Sequence, residues 1–302
     1  MYINHNQMAT QVANTLTGHY GNLQQSTQRL SSGLRINGAS DDAAGLAIRE
    51  LMRADITALN QGIRNANDAI SLIQTADGAL GVIDEKLIRM KELAEQAATG
   101  TYDSTQRLMI ESEYQAMASE ITRIANATDF NNIHLLNGNL SSSVHDGSGA
   151  SADDGLTSTG KLKVHFGTAN DSMEDYYYIQ IGNATASALG VGNESDKNLE
   201  QGAYTVSTQQ AAQKSLEGIN NAIVSKDKIR ANLGALQNRL ENTISNLTAQ
   251  SENLQAAESR ISDVDVATEM TNFVRNQILT QAAVAMLSQA NSMPQMALQL
   301  IG

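Results

Sequence analysis

Apolar side chains recur along most of this chain at alternating steps of three and four, the pattern of helices that each bury one stripe. Val12, Leu16, Leu23 and Leu30 begin the series and predict a first helix from Met1 to about Ile36. Gly33 and Asn37-Gly38 then punctuate the chain. Ser40 is placed to cap a second helix, with Asp41 and Asp42 in its first turn, where carboxylates meet the positive end of the helix dipole. That helix is predicted from about Ala43 to Ala98. Ile56, Leu59, Ile63, Ala66, Ile70, Ile73, Leu80 and Leu87 lie on one seam, interrupted by Asp77 and Asp84. Such a helix spans on the order of 80 Å, too long for one globular core to cover, and calls for a coiled-coil-like partner. Ile110, Tyr114, Met117, Ile121 and Ile124 predict a third helix over 104–127, after Gly100 ends the second. In a fourth, from about Thr205 to Ser262, Leu233, Leu240, Leu247, Leu254 and Ile261 return every seventh residue, the period of a supercoiled seam. Ser262, Asp263 and Asp265 offer caps for a last helix carrying Val274, Ile278, Ala282 and Ala285.

The pattern changes between Phe130 and Gln201. Asn131-Asn132, Asn137-Gly138-Asn139 and Asp153-Asp154-Gly155 mark turns. Lys161–Phe166 alternates polar and apolar residues, and Tyr176–Ile181 is aromatic and β-branched, so the two predict a hairpin. The fold class is therefore mainly α, with long coiled-coil-like helices and a small β-hairpin region mid-chain. If the helices pair antiparallel, that region lies far from both termini.

Charge sharpens the picture at the ends. Met1–Gln28 and Asn276–Gly302 contain no Asp, Glu, Lys or Arg. Gln277, Gln281, Gln289, Gln295 and Gln299 break the apolar run of a membrane span. Burial of both ends within a monomeric domain is the plainer alternative, but a soluble monomer normally carries charge on its outer helical faces. Assembly of the ends, on each other and on copies of the molecule, is the better reading. The net charge of −12 argues against nucleic acid or an anionic membrane as main partner. With no cysteine there is neither a disulfide framework nor a thiolate metal site. The single proline and 4% aromatic content favour long unbroken helices. MYINHNQMAT lacks the pattern of a secretory signal peptide, which suggests a cytosolic protein or one exported with its N-terminus intact.

Chemistry is hard to find. The histidines, at 5, 19, 134, 145 and 165, form no i,i+4 pair and no metal motif, and no nucleophile elbow, P-loop or dinucleotide fingerprint occurs. Asp41-Asp42 lacks further ligands, Asp146–Gly149 reads as a turn, and Glu111 and Glu113 read as solvated surface. Neither catalysis nor a cofactor is expected. Asn126-Ala-Thr128 and Asn183-Ala-Thr185 match the N-glycosylation pattern, which is common by chance.

Gln28-Arg-Leu-Ser-Ser-Gly-Leu-Arg-Ile-Asn37, followed by Asp41-Asp-Ala-Ala-Gly-Leu-Ala-Ile48, closely resembles the N-terminal signature of bacterial flagellins, as does Ile3–Asn6. Thr268–Asn272, Gln277–Leu279, Gln289–Asn291, Pro294-Gln295 and Leu300-Ile-Gly302 are similar to the C-terminal one, and Phe130–Gly138 resembles the family's turn after the third helix. The likeness covers roughly 1–140 and 205–302. It implies a short flagellin without large outer domains. Residues 1–40 and 265–302 would form the inner tube (D0) and 41–130 and 203–264 the surrounding helical bundle (D1). The stretch 131–202 would be the loop and hairpin part of D1 on the outer surface. Val12, Leu16, Leu23, Leu30, Val274, Ile278, Ala282 and Ala285 are then the self-assembly set. Ile56, Leu59, Ile63, Ile70, Ile73 and Leu233, Leu240, Leu247, Leu254 and Ile261 form the D1 seam. The resemblance further implies secretion through the flagellum's type III export apparatus with an export chaperone, and polymerisation beneath a cap protein. Contact with junction proteins and recognition by host Toll-like receptor 5 are implied too, the latter through Arg89, Leu93 and Glu113. Two alternatives are a hook–filament junction protein, with similar ends, and a secreted coiled-coil translocator or adaptor.

Overall fold

A computed structural model describes residues 6–141, 160–171, 174–191 and 205–301. The predicted helices are there as α1 (Gln7–Ser32), α2 (Ala43–Ala98), α3 (Ser104–Ala127), α5 (Gln209–Ser262) and α6 (Val266–Ile301), with a one-turn α4 (Ala186–Leu189) between. Residues 142–159, with the turn expected at Asp146–Gly149, and the N-terminal Ile3–His5 lie outside the described residues.

Three ends differ from the sequence reading. α1 stops at Gly33, whose φ of 71° favours a residue without a Cβ, rather than continuing to Ile36. The cap of α2 is Asp42, not Ser40: its Oδ1 accepts the Gly45 N–H at 2.9 Å and its carbonyl the Leu46 N–H at 3.0 Å. Asp41 instead closes the preceding turn, where the Asn37 N–H and then the Gln25 amide hold its carboxyl below the usual carboxylate range. α5 begins at Gln209, after Thr208 accepts the Ala211 and Ala212 N–H groups.

The chain divides into two compact units, Met1–Thr57 with Ser251–Gly302, and Ala58–Gln250. The boundaries of these units fall inside α2 and α5. The reason is local. Arg35 N–H donates to the Ser262 carbonyl (2.7 Å) and Val264 N–H to the Gly33 carbonyl (3.0 Å). Arg35 Nη2 reaches the Ile261 carbonyl at 2.6 Å, and the buried Arg49 reaches that of Ile36 at 2.8 Å. These bonds tie the first turns of α2 and the last turns of α5 to the terminal helices.

In the second unit, Leu59, Ala66, Ile73, Leu80 and Leu87 of α2 are buried, as are Ile110, Tyr114 and Ile121 of α3 and Leu233, Leu240 and Leu247 of α5. Ile63 and Ile70 are half-buried, and so, in the first unit, are Ile56, Leu254 and Ile261. Strands β1 (Asp129–Phe130) and β2 (Ile133–His134) form a tight hairpin through Asn131 and Asn132, both at positive φ (50° and 67°), where asparagine is tolerated. Strands β3 (Leu162–His165) and β4 (Tyr176–Ile179) pair antiparallel with Leu162 opposite Ile179, two residues shorter at their ends than the alternation suggested. This hairpin is seated on α2: Asn65 Nδ2 donates to the His165 carbonyl at 2.8 Å, and Gly62 leaves room for the Phe166 backbone. It is also held to α5, where the Arg239 guanidinium lies 3.6 Å from the Tyr177 ring centroid.

Candidate assembly surfaces

α1 and α6 pack along each other, and the eight residues singled out on them fall into two groups. Ala9, Val12, Leu16, His19, Leu23, Ser26 and Leu30 step three and four along α1 and are buried or half-buried. Facing them on α6 are Asn276, Thr280, Ala283, Leu287 and Ala290, at the same spacing. Near the turn end of the pair, Arg29 lies 3.8 Å from Glu269, whose carboxylate is nearly buried. Val12, Leu16, Leu23 and Leu30 therefore line the seam between the chain's own two terminal helices.

Val274, Ile278, Ala282 and Ala285 do not belong to that seam. They are exposed on α6, and Ile278 keeps 58% of its surface. Val266, Met270, Val274 and Ile278 step by four along one open apolar stripe, and Leu279, Val284, Met286, Met293 and Met296 extend the exposed apolar surface. A shallow groove of about 380 Å³ between α1 and α6 is lined by Met8, Val12, His19, Leu279, Ala282 and Met286 among others. Stripes of this kind, on a helix whose charges are Glu269 and Arg275, are surfaces that another helix covers.

The second unit presents a different surface on α2 and α3. Arg89 Nε and Nη2 both donate to Glu113 Oε1, at 3.0 and 2.8 Å, and Nη1 donates to Glu92 at 2.9 Å. Ile88 beside Arg89, and Leu108 and Met109 one turn before Glu113, are exposed apolar neighbours. Leu93 is not on this surface. At 1% exposure its side chain is part of the core, on the buried stripe that it shares with Met90 and Ala97.

Sequence reasoning missed the cross-helix ion pairs. Asp77 and Asp84, which only interrupt the apolar seam of α2, are the partners of α5: Arg230 meets Asp77 at 2.6 and 3.1 Å, and Lys226 meets Asp84 at 2.6 Å and Asp227 at 2.7 Å. The seven-residue spacing of the two acids, matched by a four-residue spacing of the two cations, was the available signal. Burial alone would lower the Lys226 ammonium pKa, but hydrogen bonds to Asp227 and Asp84 override it and raise it. Arg230 holds the Asp77 carboxyl below its ordinary value. Another bond hidden from sequence runs from the Val206 N–H to Glu111 Oε2, fixing the entry to α5.

Among the described residues no group of three or more His, Cys, Asp or Glu side chains could hold a metal ion, and no helix is long and apolar enough to cross a membrane. Long paired helices whose open apolar surface runs into an uncharged C-terminal segment define a structural subunit of the helical, self-assembling class. The chain belongs to the bacterial flagellin family: residues 3–141 match the bacterial flagellin N-terminal helical region and residues 216–301 the C-terminal helical region. It is 43% identical over 310 residues to a flagellin of Bacillus subtilis (strain 168), covering all of both chains. It is 39% identical over 301 residues to the flagellar filament 33 kDa core protein of Treponema phagedenis, again over both full lengths. Among solved structures, a putative flagellar hook-associated protein from Vibrio parahaemolyticus matches 74% of this chain and all of its own with a TM-score of 0.55. At 14% identity that likeness is one of fold alone.

Proposed function

We infer that this chain is the structural subunit of a bacterial flagellar filament and that it works by self-association into a helical polymer outside the cell. The observation that carries the mechanism is the open stripe Val266, Met270, Val274 and Ile278 on α6, continuing into a segment without formal charge. Covering apolar surface stabilises by roughly 25 cal/mol per Å², and copies of the same helix pair supply that cover. The full-length likeness to flagellins and to a filament core protein favours filament subunit over junction protein. The reading assigns no catalysis and no cofactor.

Within this reading residues 1–40 and 265–302 form the inner tube and the α2–α3–α5 region with its hairpin the surrounding layer. Export through the flagellar type III apparatus with a chaperone, growth beneath a cap and contact with junction proteins follow from the same role. Recognition by Toll-like receptor 5 is supported here by the exposed, mutually paired Arg89 and Glu113, with Leu93 acting from beneath as a packing residue. Electron microscopy of purified, concentrated protein tests the central reading. Filaments of uniform diameter are the expected result, and persistent monomer or short rings would overturn it.

A further inference from the structure

Pro294 lies inside α6, which continues past it to Ile301. Proline has no backbone N–H, so the carbonyl four residues earlier, that of Ala290, loses its helical donor. Ala290 is only 6% exposed, and a carbonyl in such a place needs another partner. The partner comes from the other end of the chain. Asn6 Nδ2 donates to the Ala290 oxygen at 2.8 Å. The same amide's Oδ1 accepts the Ala9 N–H at 3.1 Å, which caps α1. One side chain thus starts α1 and completes α6. In the same disturbed turn Ser292 Oγ donates to the Gln289 carbonyl at 2.9 Å.

We propose that Asn6 is a positioning residue for assembly: by spanning from the cap of α1 to the carbonyl that Pro294 frees, it fixes the axial register of the terminal helix pair. A pair whose most buried positions are small, such as Ser26, Thr280, Ala283 and Ala290, resists sliding only weakly. A shift by one turn brings similar side chains into opposition. The Asn6 amide removes that ambiguity, because Pro294 is the chain's sole proline and so no other helical carbonyl is freed in this way. Register matters because the outer stripe of α6 must meet its neighbours together with the outer face of α1. This last step rests on the filament reading, whereas the bond itself can be tested on the monomer.

The experiment compares wild type, Asn6→Ser, Pro294→Ala and the double substitution as purified full chains. Serine still caps α1, but its hydroxyl is too short to reach Ala290. In the Pro294→Ala background a restored N–H takes the Ala290 carbonyl and leaves Asn6 nothing to complete. Asn6→Ser is expected to raise the critical concentration for polymerisation on the order of tenfold when Pro294 is present. In the Pro294→Ala background the increase should be below about twofold, since the carbonyl no longer depends on residue 6. Amide exchange over residues 9–16 of the monomer should show the same dependence on background. An equal penalty in both backgrounds would reduce Asn6 to a cap, and no penalty in either would remove its role altogether; each overturns the proposal. Should wild type fail to polymerise, or Pro294→Ala abolish polymerisation alone, monomer exchange still decides the matter, and only the first outcome bears on the filament reading.

Discussion

At Lys226 an ammonium group with 2% of its side chain exposed sits between Asp84, at 2.6 Å, and Asp227, at 2.7 Å. Removing one partner of a buried charge costs more than replacing the charge itself by an apolar side chain of similar length. Asp84→Ala should therefore lower unfolding stability by about 2 kcal/mol, less than full stranding because Asp227 remains. Lys226→Met should stay within about 1 kcal/mol of wild type. Urea titration of the two variants checks the order, and a more damaging Lys226→Met would refute it. Asp77 adds a pH dependence. Its pKa in the folded state is lowered, chiefly by the hydrogen bond from Arg230. Its contribution is thus fully present above the ordinary aspartate value of 3.8 and lost as pH falls through the lower folded value. Lys226, with its pKa raised, contributes fully below the ordinary lysine value and loses that only as pH rises through the folded one. The two pairs together hold across neutral pH. Thermal melts from pH 7 down to pH 2 should show a shallower acid decline for Asp77→Asn than for wild type.

The elements make opposite demands on glycine. A Cβ at Gly62 would lie 2.0 Å from the Phe166 carbonyl oxygen, so the hairpin must move to admit it. Gly62→Ala should cost about 1–3 kcal/mol, as over-packing does. Gly78, on the same helix, has nothing within 4 Å of that position, and Gly78→Ala should stabilise by up to about 1 kcal/mol through helix propensity. Differential scanning calorimetry of both variants reads the contrast. The terminal pair is thin by comparison with the second unit. The seam of α1 against α6 buries small and polar residues, whereas Leu233 and Leu240 of α5 are 1% exposed in an apolar core. Opening free energy scales with such burial. Amides of α1 and α6 in the monomer should therefore exchange much faster than those of residues 233–247, and uniform protection would contradict the role given to the ends.

For the whole molecule the decisive change is a charge on the open face of α6. Ala285 is exposed and lies in the charge-free segment that ends the chain. In the monomer Ala285→Asp remains in water and should leave helical content and melting unchanged. In a polymer the carboxylate is covered without a cation, which costs several kcal/mol in every subunit. Sedimentation under polymerising conditions at pH 7 should leave this variant in the supernatant. Burial raises a carboxyl pKa, so assembly should return in part near pH 4, where the group protonates. A variant that pellets like wild type at pH 7 would mean that this face stays open in the filament.

Much of this was legible in the chain itself. The extents of α2 and α3, the two hairpin strands and the uncharged ends follow from local causes: helical and strand periodicity, caps, and the φ demands of glycine and asparagine. Periodicity also names the residues of a stripe, but it says nothing about what covers them. Only the tertiary structure separated Val12, Leu16, Leu23 and Leu30, which line the chain's own α1–α6 seam, from Val274, Ile278, Ala282 and Ala285, which stay open. Only it turned Leu93 inward while Arg89 and Glu113 met outside, and joined Asp77 and Asp84 to cations far along the chain. Asn6 and Pro294 show why. Each is an ordinary local signal, a cap and a helix breaker, and their connection exists because folding brings opposite ends of the chain within 2.8 Å. Local preferences are written residue by residue, whereas partners are chosen by packing between segments far apart in sequence.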